Sequence, residues 1–340
     1  MVPHLDAPAL EHGGDLAAAR RLFPGAPQPF IDLSTGINPH PYPLPPLPSG
    51  AFARLPDGEA QMRLAGIAAR TYGAPSAAHV VPAPGTQILL PLVAALVPAG
   101  RAAILGPTYS EHARTARLAG HAVTETDDFQ QLHGADLAVI ANPNNPDGRI
   151  IATDRLLALA QELKGHDGIL VVDEAFMDVG PPGGSLAREL DRGNIVVLRS
   201  FGKFFGLAGL RLGFALAAPP LAARLNASLG PWAVSGPAIT IGGQALADTV
   251  WMDAARARLA AAAQRLDLLL AELDMDVVGG TSLFRLARTP SAADVFRRLG
   301  AAGIIVRAFR EQPTWLRFGL PNEADWDRLR SRLATFASDR

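Results

Sequence analysis

One lysine, Lys203, stands in the stretch VVLRSFGKFFGLAGLRLGF among Gly202, Phe204, Phe205 and Gly206, with Arg211 a short way downstream. Apolar surroundings disfavour the ammonium and favour the neutral, nucleophilic amine, which suits Schiff-base chemistry. For the lysine taken alone, a surface residue whose stem covers the aromatics is the better reading. Upstream, ILVVDEAFMDV sets Asp173 and Glu174 at the end of a strand apolar enough to be buried. A buried carboxylate needs a partner, so Asp173 either pairs structurally or faces a cationic ligand. PAPGTQILLPL puts Gly85, Thr86 and Gln87 at the start of an apolar helix, as a phosphate cradle or as an ordinary cap. IANPNNPDGRI offers Asn142, Asn144 and Asn145 in what is either a polar site loop or a proline-rich turn.

Taken together these residues narrow the chemistry. A carboxylate for a pyridinium nitrogen (Asp173), an amine for an aldehyde (Lys203) and a phosphate set of Gly85, Thr86, Ser200 and Arg211 are what pyridoxal 5′-phosphate (PLP) demands of a protein.

The elements that must position them follow from the pattern. From about residue 59, alanine-rich helical stretches alternate with short apolar runs: HVVPA, RAAILG, LAVIANP, GILVVDEA, NIVVLRS and RLGFALA. Runs apolar throughout and separated by helices predict a largely parallel sheet covered on both faces, with its ligand loops at the strand ends. Parallel neighbours bring the loops of Asp173 and Lys203 to one sheet edge. Residues 36–48, GINPHPYPLPPLP, are too rich in proline for a helix or a central strand and read as an extended arm. After GPWAVSGPA a long amphipathic helix, DAARARLAAAAQRLDLLLAELD, leads into a smaller sheet with helices. The expected organisation is an arm over 1–48, a large cofactor domain over 49–240 and a small α/β domain over 241–340.

Composition excludes several classes. Lys and Arg number 31 against 32 Asp and Glu, a formal charge of −1, so no field exists to hold nucleic acid or an anionic membrane surface. Cysteine is absent, which removes disulfides, thiolate nucleophiles and cysteine-ligated zinc, and the eight histidines form no HExxH, so no metal site is expected. The N-terminus shows no export signal and the most apolar run, ILLPLVAALVPAG, is broken by prolines, so a cytoplasmic protein without a membrane span is expected.

The ordered series GTQ, GPTYSEH, NPNNPDG, VVDEAF and SFGKFFGLAGLRLG resembles the fold-type I PLP enzymes, in the branch containing histidinol-phosphate aminotransferase. The resemblance covers nearly the whole chain. It implies a large domain with a mainly parallel seven-stranded sheet and a smaller C-terminal domain. It also implies Lys203 as the cofactor-linked lysine, Arg211 and Ser200 with Gly85, Thr86 and Gln87 around the phosphate, Asp173 on the ring nitrogen, Tyr109 stacked on the ring and Asn145 on the ring hydroxyl. Two positions depart from the aminotransferase pattern. Phe176 stands where a tyrosine usually shares the ring hydroxyl, and Leu55 where a tyrosine usually reaches the neighbouring subunit's cofactor phosphate.

The N-terminal segment, EHGGDLAAARRLFPG followed by FIDLSTGINPHPYP, is similar to the threonine-phosphate decarboxylases of cobalamin synthesis. That likeness implies a phosphorylated amino acid as substrate, L-threonine O-3-phosphate, decarboxylated to (R)-1-amino-2-propanol O-2-phosphate. His12, Gly13, Gly14 and Asn38 would line the substrate site, Arg317 would hold its carboxylate and Arg307 would lie near its phosphate. A homodimer is implied as well. The alternative is an aminotransferase acting on a phosphorylated substrate; a ligand-sensing regulator would need a DNA-binding module for which the first 30 residues leave no room.

Overall fold

The computed structural model describes residues 13–337, with side chains up to Leu333. These residues form two compact units, one of residues 13–40 with 256–337 and the other of 41–255. Strand β1 (Ile31–Asp32) belongs to the first unit. The second holds β2 (Val80–Ala83), β3 (Arg101–Leu105), β4 (Ala122–Thr126), β5 (Leu137–Ala141), β6 (Ile169–Asp173), β7 (Ile195–Arg199) and β8 (Gly213–Ala217). The first unit resumes with β9 (Asp276–Thr281), β10 (Phe284–Arg288), β11 (Ile304–Ile305), β12 (Arg307–Ala308) and β13 (Trp315–Gly319).

In the large unit seven strands make one sheet, ordered β2-β8-β7-β6-β5-β3-β4. The β3, β4, β5, β6 and β7 pairings are parallel, while β8 runs antiparallel to both β2 and β7. Because β8 is reversed, its first residue lies at the edge where β2, β6 and β7 end. The interior strands are apolar for a physical reason: β5, β7 and β8 are buried at every position, with helices covering both faces. The edge strand β4 differs. Its sequence AVTET is largely exposed and pairs only with β3, so it lacks the apolar signal by which its six neighbours are recognised.

The helix Gly58–Tyr72 begins where the Asp57 carboxylate accepts from the Ala60 N–H at 2.6 Å and ends at Gly73 in the left-handed region. Residues 41–48 form neither helix nor strand, as their prolines require.

The small unit holds a four-stranded antiparallel sheet, β12-β13-β10-β9, and a separate parallel pair of β1 with β11. Among the described residues no helix is long and apolar enough to cross a membrane.

Candidate active site

Every chemistry-bearing loop of the large unit leaves the same sheet edge. Asp173 ends β6, level with Ala141 of β5 on one side and Leu198 of β7 on the other. Asn142 to Asn145 follow β5, Ser200 and Lys203 follow β7, Tyr109 follows β3, Gly85 to Gln87 follow β2, and Arg211 precedes β8.

Asp173 is held from two directions. Its Oδ1 accepts from the Ala175 N–H at 3.0 Å, and its Oδ2 lies 3.1 Å from Nε2 of His112, outside hydrogen-bond geometry. The His112 side chain is 2% exposed and that of Asp173 14%, so the carboxylate keeps one open side. His112 was not among the residues singled out from sequence, although it follows Tyr109 within GPTYSEH at the start of the helix Glu111–Leu118.

Lys203 sits in a one-turn helix, Phe201–Phe204, anchored by its aromatic neighbours. Phe201 stacks on Phe205 at 4.3 Å, Phe205 stacks on Trp251 at 5.6 Å, and all three phenylalanines of this turn are fully buried. Buried rings with fixed geometry keep the lysine-bearing turn from drifting. The Lys203 amine is half-buried and lies 5.9 Å from the centre of the Phe176 ring. Phe176 itself is buried, so an apolar ring occupies the tyrosine position.

Gly85 and Arg211 form a cradle. Gly85 has φ +84°, and a Cβ there would strike the Arg211 guanidinium, so the bare backbone is what lets the arginine close over the loop. Arg211 is exposed and donates through Nη1 to the Ala208 carbonyl at 2.9 Å. The Thr86 and Ser200 side chains complete a cationic, hydroxyl-bearing and N–H-rich edge of the kind that holds a phosphate. With the open-sided carboxylate of Asp173 and the amine of Lys203 on the same edge, the donor set fits PLP.

Tyr109 donates to Oε1 of Gln87 at 3.1 Å and stands edge-on to His112 at 5.7 Å. Of the asparagines, Asn142 clasps the backbone of Ile151 and Asn144 donates to the Pro107 carbonyl at 2.9 Å, tying two loops together. Both serve the architecture. Asn145 remains half-buried in the turn. Glu174 is likewise structural: fully buried, it accepts from Ser185 at 2.6 Å, from the Leu186 N–H at 2.8 Å and from Arg199 at 3.1 Å. Burial pushes its carboxyl up, and these donors oppose the shift.

Gly13, Gly14 and Arg317 of the small unit meet at Ser34, which the sequence reading did not single out. Arg317 in β13 donates to the Ser34 carbonyl at 2.6 Å, while the Gly14 N–H donates to the Ser34 hydroxyl at 2.9 Å. A Cβ on Gly13 would strike the Ser34 carbonyl, so glycine is what permits this close approach. Arg307 lies directly opposite Arg317 across the β12–β13 pair. Burial pushes the Arg317 guanidinium down to about 10, Arg307 adds to the shift, and Asp32 opposes it. Asn38 is buried and accepts from the His40 N–H at 2.8 Å. His12 lies outside the described residues. Leu55 is 68% exposed.

The family described as aminotransferase class I and II matches residues 55–333. A threonine-phosphate decarboxylase of Sinorhizobium sp is 44% identical over 324 residues, covering 93% of this chain and 95% of that one. A threonine-phosphate decarboxylase of Pseudomonas aeruginosa is 43% identical over 331 residues, covering 96% and 98%. The crystal structure of histidinol-phosphate aminotransferase from Sinorhizobium meliloti in complex with pyridoxal-5′-phosphate superposes with a TM-score of 0.79 over 95% of this chain and 94% of that one. At 22% identity this last likeness establishes the fold alone. With most of its length matched and the site residues at one sheet edge, this chain belongs to the class I and II aminotransferase family.

Proposed function

We propose that this chain is a PLP-dependent carboxy-lyase that converts L-threonine O-3-phosphate to (R)-1-amino-2-propanol O-2-phosphate and CO₂, a step of cobalamin synthesis. The observation that carries the choice of reaction is the near-full-length identity to threonine-phosphate decarboxylases. An alignment over 96% of the chain takes in most of the N-terminal segment, which lies outside the family match that begins at residue 55. Fold and cofactor alone would leave the reaction open.

PLP, when bound, supplies an electron-withdrawing protonated ring that accepts the electron pair released at Cα. Asp173 would hold the proton on the ring nitrogen, with His112 and the Ala175 N–H beside that carboxylate. Thr86, Ser200, Arg211 and the backbone at Gly85 and Gln87 would anchor the cofactor phosphate. Tyr109 would cover the ring, and Asn145 would donate to its hydroxyl. Phe176 adds no second donor there.

Arg317 binds the substrate carboxylate through the planar fork that suits it, and Arg307 with His12, Gly13, Gly14 and Asn38 binds the substrate phosphate. Arg307 disfavours the charge on Arg317 and Asp32 favours it, and a substrate carrying both a carboxylate and a phosphate would bring further anions to the pair. By holding both anions of the substrate these residues would select its carboxylate as the group lost as CO₂, and the Lys203 amine would return a proton to Cα.

The protein works as a cytoplasmic homodimer in this reading. Phe52, Leu55 and Met62 are 71%, 68% and 67% exposed, an apolar run that a second copy would cover. The testing experiment supplies the holoenzyme with L-threonine O-3-phosphate or with free L-threonine and identifies the products. Release of CO₂ and an amine phosphate from the phosphorylated substrate alone is expected; equal turnover of free threonine would contradict the proposal.

A further inference from the structure

The loop after β3 carries a hydrogen-bond chain that the roles above leave unused. Glu111, its side chain 10% exposed, accepts from Nε2 of Gln87 at 2.7 Å and from Nη1 of Arg114 at 3.0 Å. Oε1 of Gln87 accepts in turn from the Tyr109 hydroxyl at 3.1 Å. A carboxylate can only accept, so Gln87 must turn its amide nitrogen to Glu111 and its oxygen to Tyr109. Tyr109 is then obliged to donate. A glutamine between two hydroxyls could face either way, whereas the charge of Glu111 sets the direction of the whole chain. Arg114, 62% exposed, holds that charge from the solvent side. His112 meets the Tyr109 ring edge-on at 90°, which limits rotation of the ring from a second direction.

We propose that Glu111 is a positioning residue for Tyr109: acting through Gln87, it commits the phenolic proton, so that Tyr109 offers the cofactor a ring face and not an acid. This rests on the reading in which Tyr109 lies against PLP. It deepens that reading, because proton delivery to Cα then falls to Lys203 alone.

The chain has three tyrosines, Tyr42, Tyr72 and Tyr109, so a holoenzyme labelled with ¹³Cζ-tyrosine gives a spectrum in which Tyr109 is the line lost in Tyr109→Phe. Both Glu111→Ala and the isosteric Glu111→Gln are measured, the second guarding against a folding defect in the first. The Tyr109 line is expected to move in both, with Tyr42 and Tyr72 in place, and kcat/KM to fall about tenfold in Glu111→Ala through loss of one oriented hydrogen bond. Tyr109→Phe should leave the solvent isotope effect on kcat unchanged, since no proton passes through the hydroxyl. A Tyr109 line that stays in place in both Glu111 variants overturns the proposal. So does a Tyr109→Phe enzyme that loses more than about a hundredfold in kcat with an altered isotope effect. Wild-type CO₂ release tests the decarboxylase reading separately: an enzyme that transaminates yet shows the shifted line leaves the Glu111 assignment standing.

Discussion

Two buried arginines, one in each unit, are handled in opposite ways. Arg199 in the large unit is 4% exposed, with Glu174 at 3.1 Å and Asp178 at 2.7 Å. Burial alone would lower its pKa, but Asp178 and Glu174 raise it above the ordinary arginine value. Arg317 in the small unit is 7% exposed and pushed down to about 10 by burial and by Arg307. An arginine whose charge is answered by the fold's own carboxylates is a structural part. At Arg317 burial and Arg307 outweigh the pull of Asp32, and we propose that a substrate carboxylate adds to what Asp32 supplies.

This difference makes opposite readouts testable, and the largest effect lies with the chemistry itself. Lys203→Ala should lose more than about 10⁴-fold in the rate of CO₂ release, because no other amine takes its place, while its melting temperature stays close to wild type. If decarboxylation persists near the wild-type rate, the lysine is a packing residue over Phe176. Next, Arg199→Ala should destabilise the fold by about 3–5 kcal/mol, since Glu174 and Asp178 would lose the cation that answers their buried charge. Denaturant unfolding measures this, and a loss under about 1 kcal/mol would remove the structural half of the comparison. Arg317→Met should do the reverse: kcat/KM down by about a hundredfold with little change in unfolding midpoint.

A pH series sharpens the same contrast. Arg317 has a folded pKa depressed from the ordinary arginine value to about 10, so between the two the unfolded chain binds more protons than the native one. Its buried charge is thus a cost present below about pH 10 and relieved as pH rises through the window. Carboxylate affinity runs the other way. KM should hold steady up to about pH 9 and rise beyond 10 as the guanidinium loses its proton, and the rise should vanish in Arg317→Met. The smallest effect is expected for Phe176→Tyr, which adds a hydroxyl near Lys203 and should change kcat less than about tenfold. A larger gain would mean that the missing hydrogen bond limits the enzyme.

The large unit was the more legible of the two because its information is local. The interior strands are apolar runs, and Asp173 ends one while Lys203 follows the next, so their two loops could be placed at one sheet edge from the order of the runs. The edge strand β4 escaped because AVTET, wetted on its outer side, carries no apolar signature. His112 and Glu111 escaped because each acts on a partner brought close only by the fold. Glu111 reaches Gln87 across 24 residues, and His112 meets Asp173 from a different strand connection. The small unit shows the extreme case. Arg317 and Ser34 are 283 residues apart, and no spacing rule links a buried serine in FIDLSTGINP to an arginine in TWLRFGLP. The two arginines could be proposed as anion binders, but the serine that Arg317 meets could not be named.

The central claim is that CO₂ and not the α-proton leaves the substrate. Its most direct test is a single turnover of holoenzyme mixed with L-threonine O-3-phosphate, with released CO₂ and the form of the cofactor read in the same sample. Stoichiometric CO₂ with the cofactor retained as PLP is the predicted result. Conversion of the cofactor to pyridoxamine phosphate without CO₂ would contradict it and make the chain an aminotransferase.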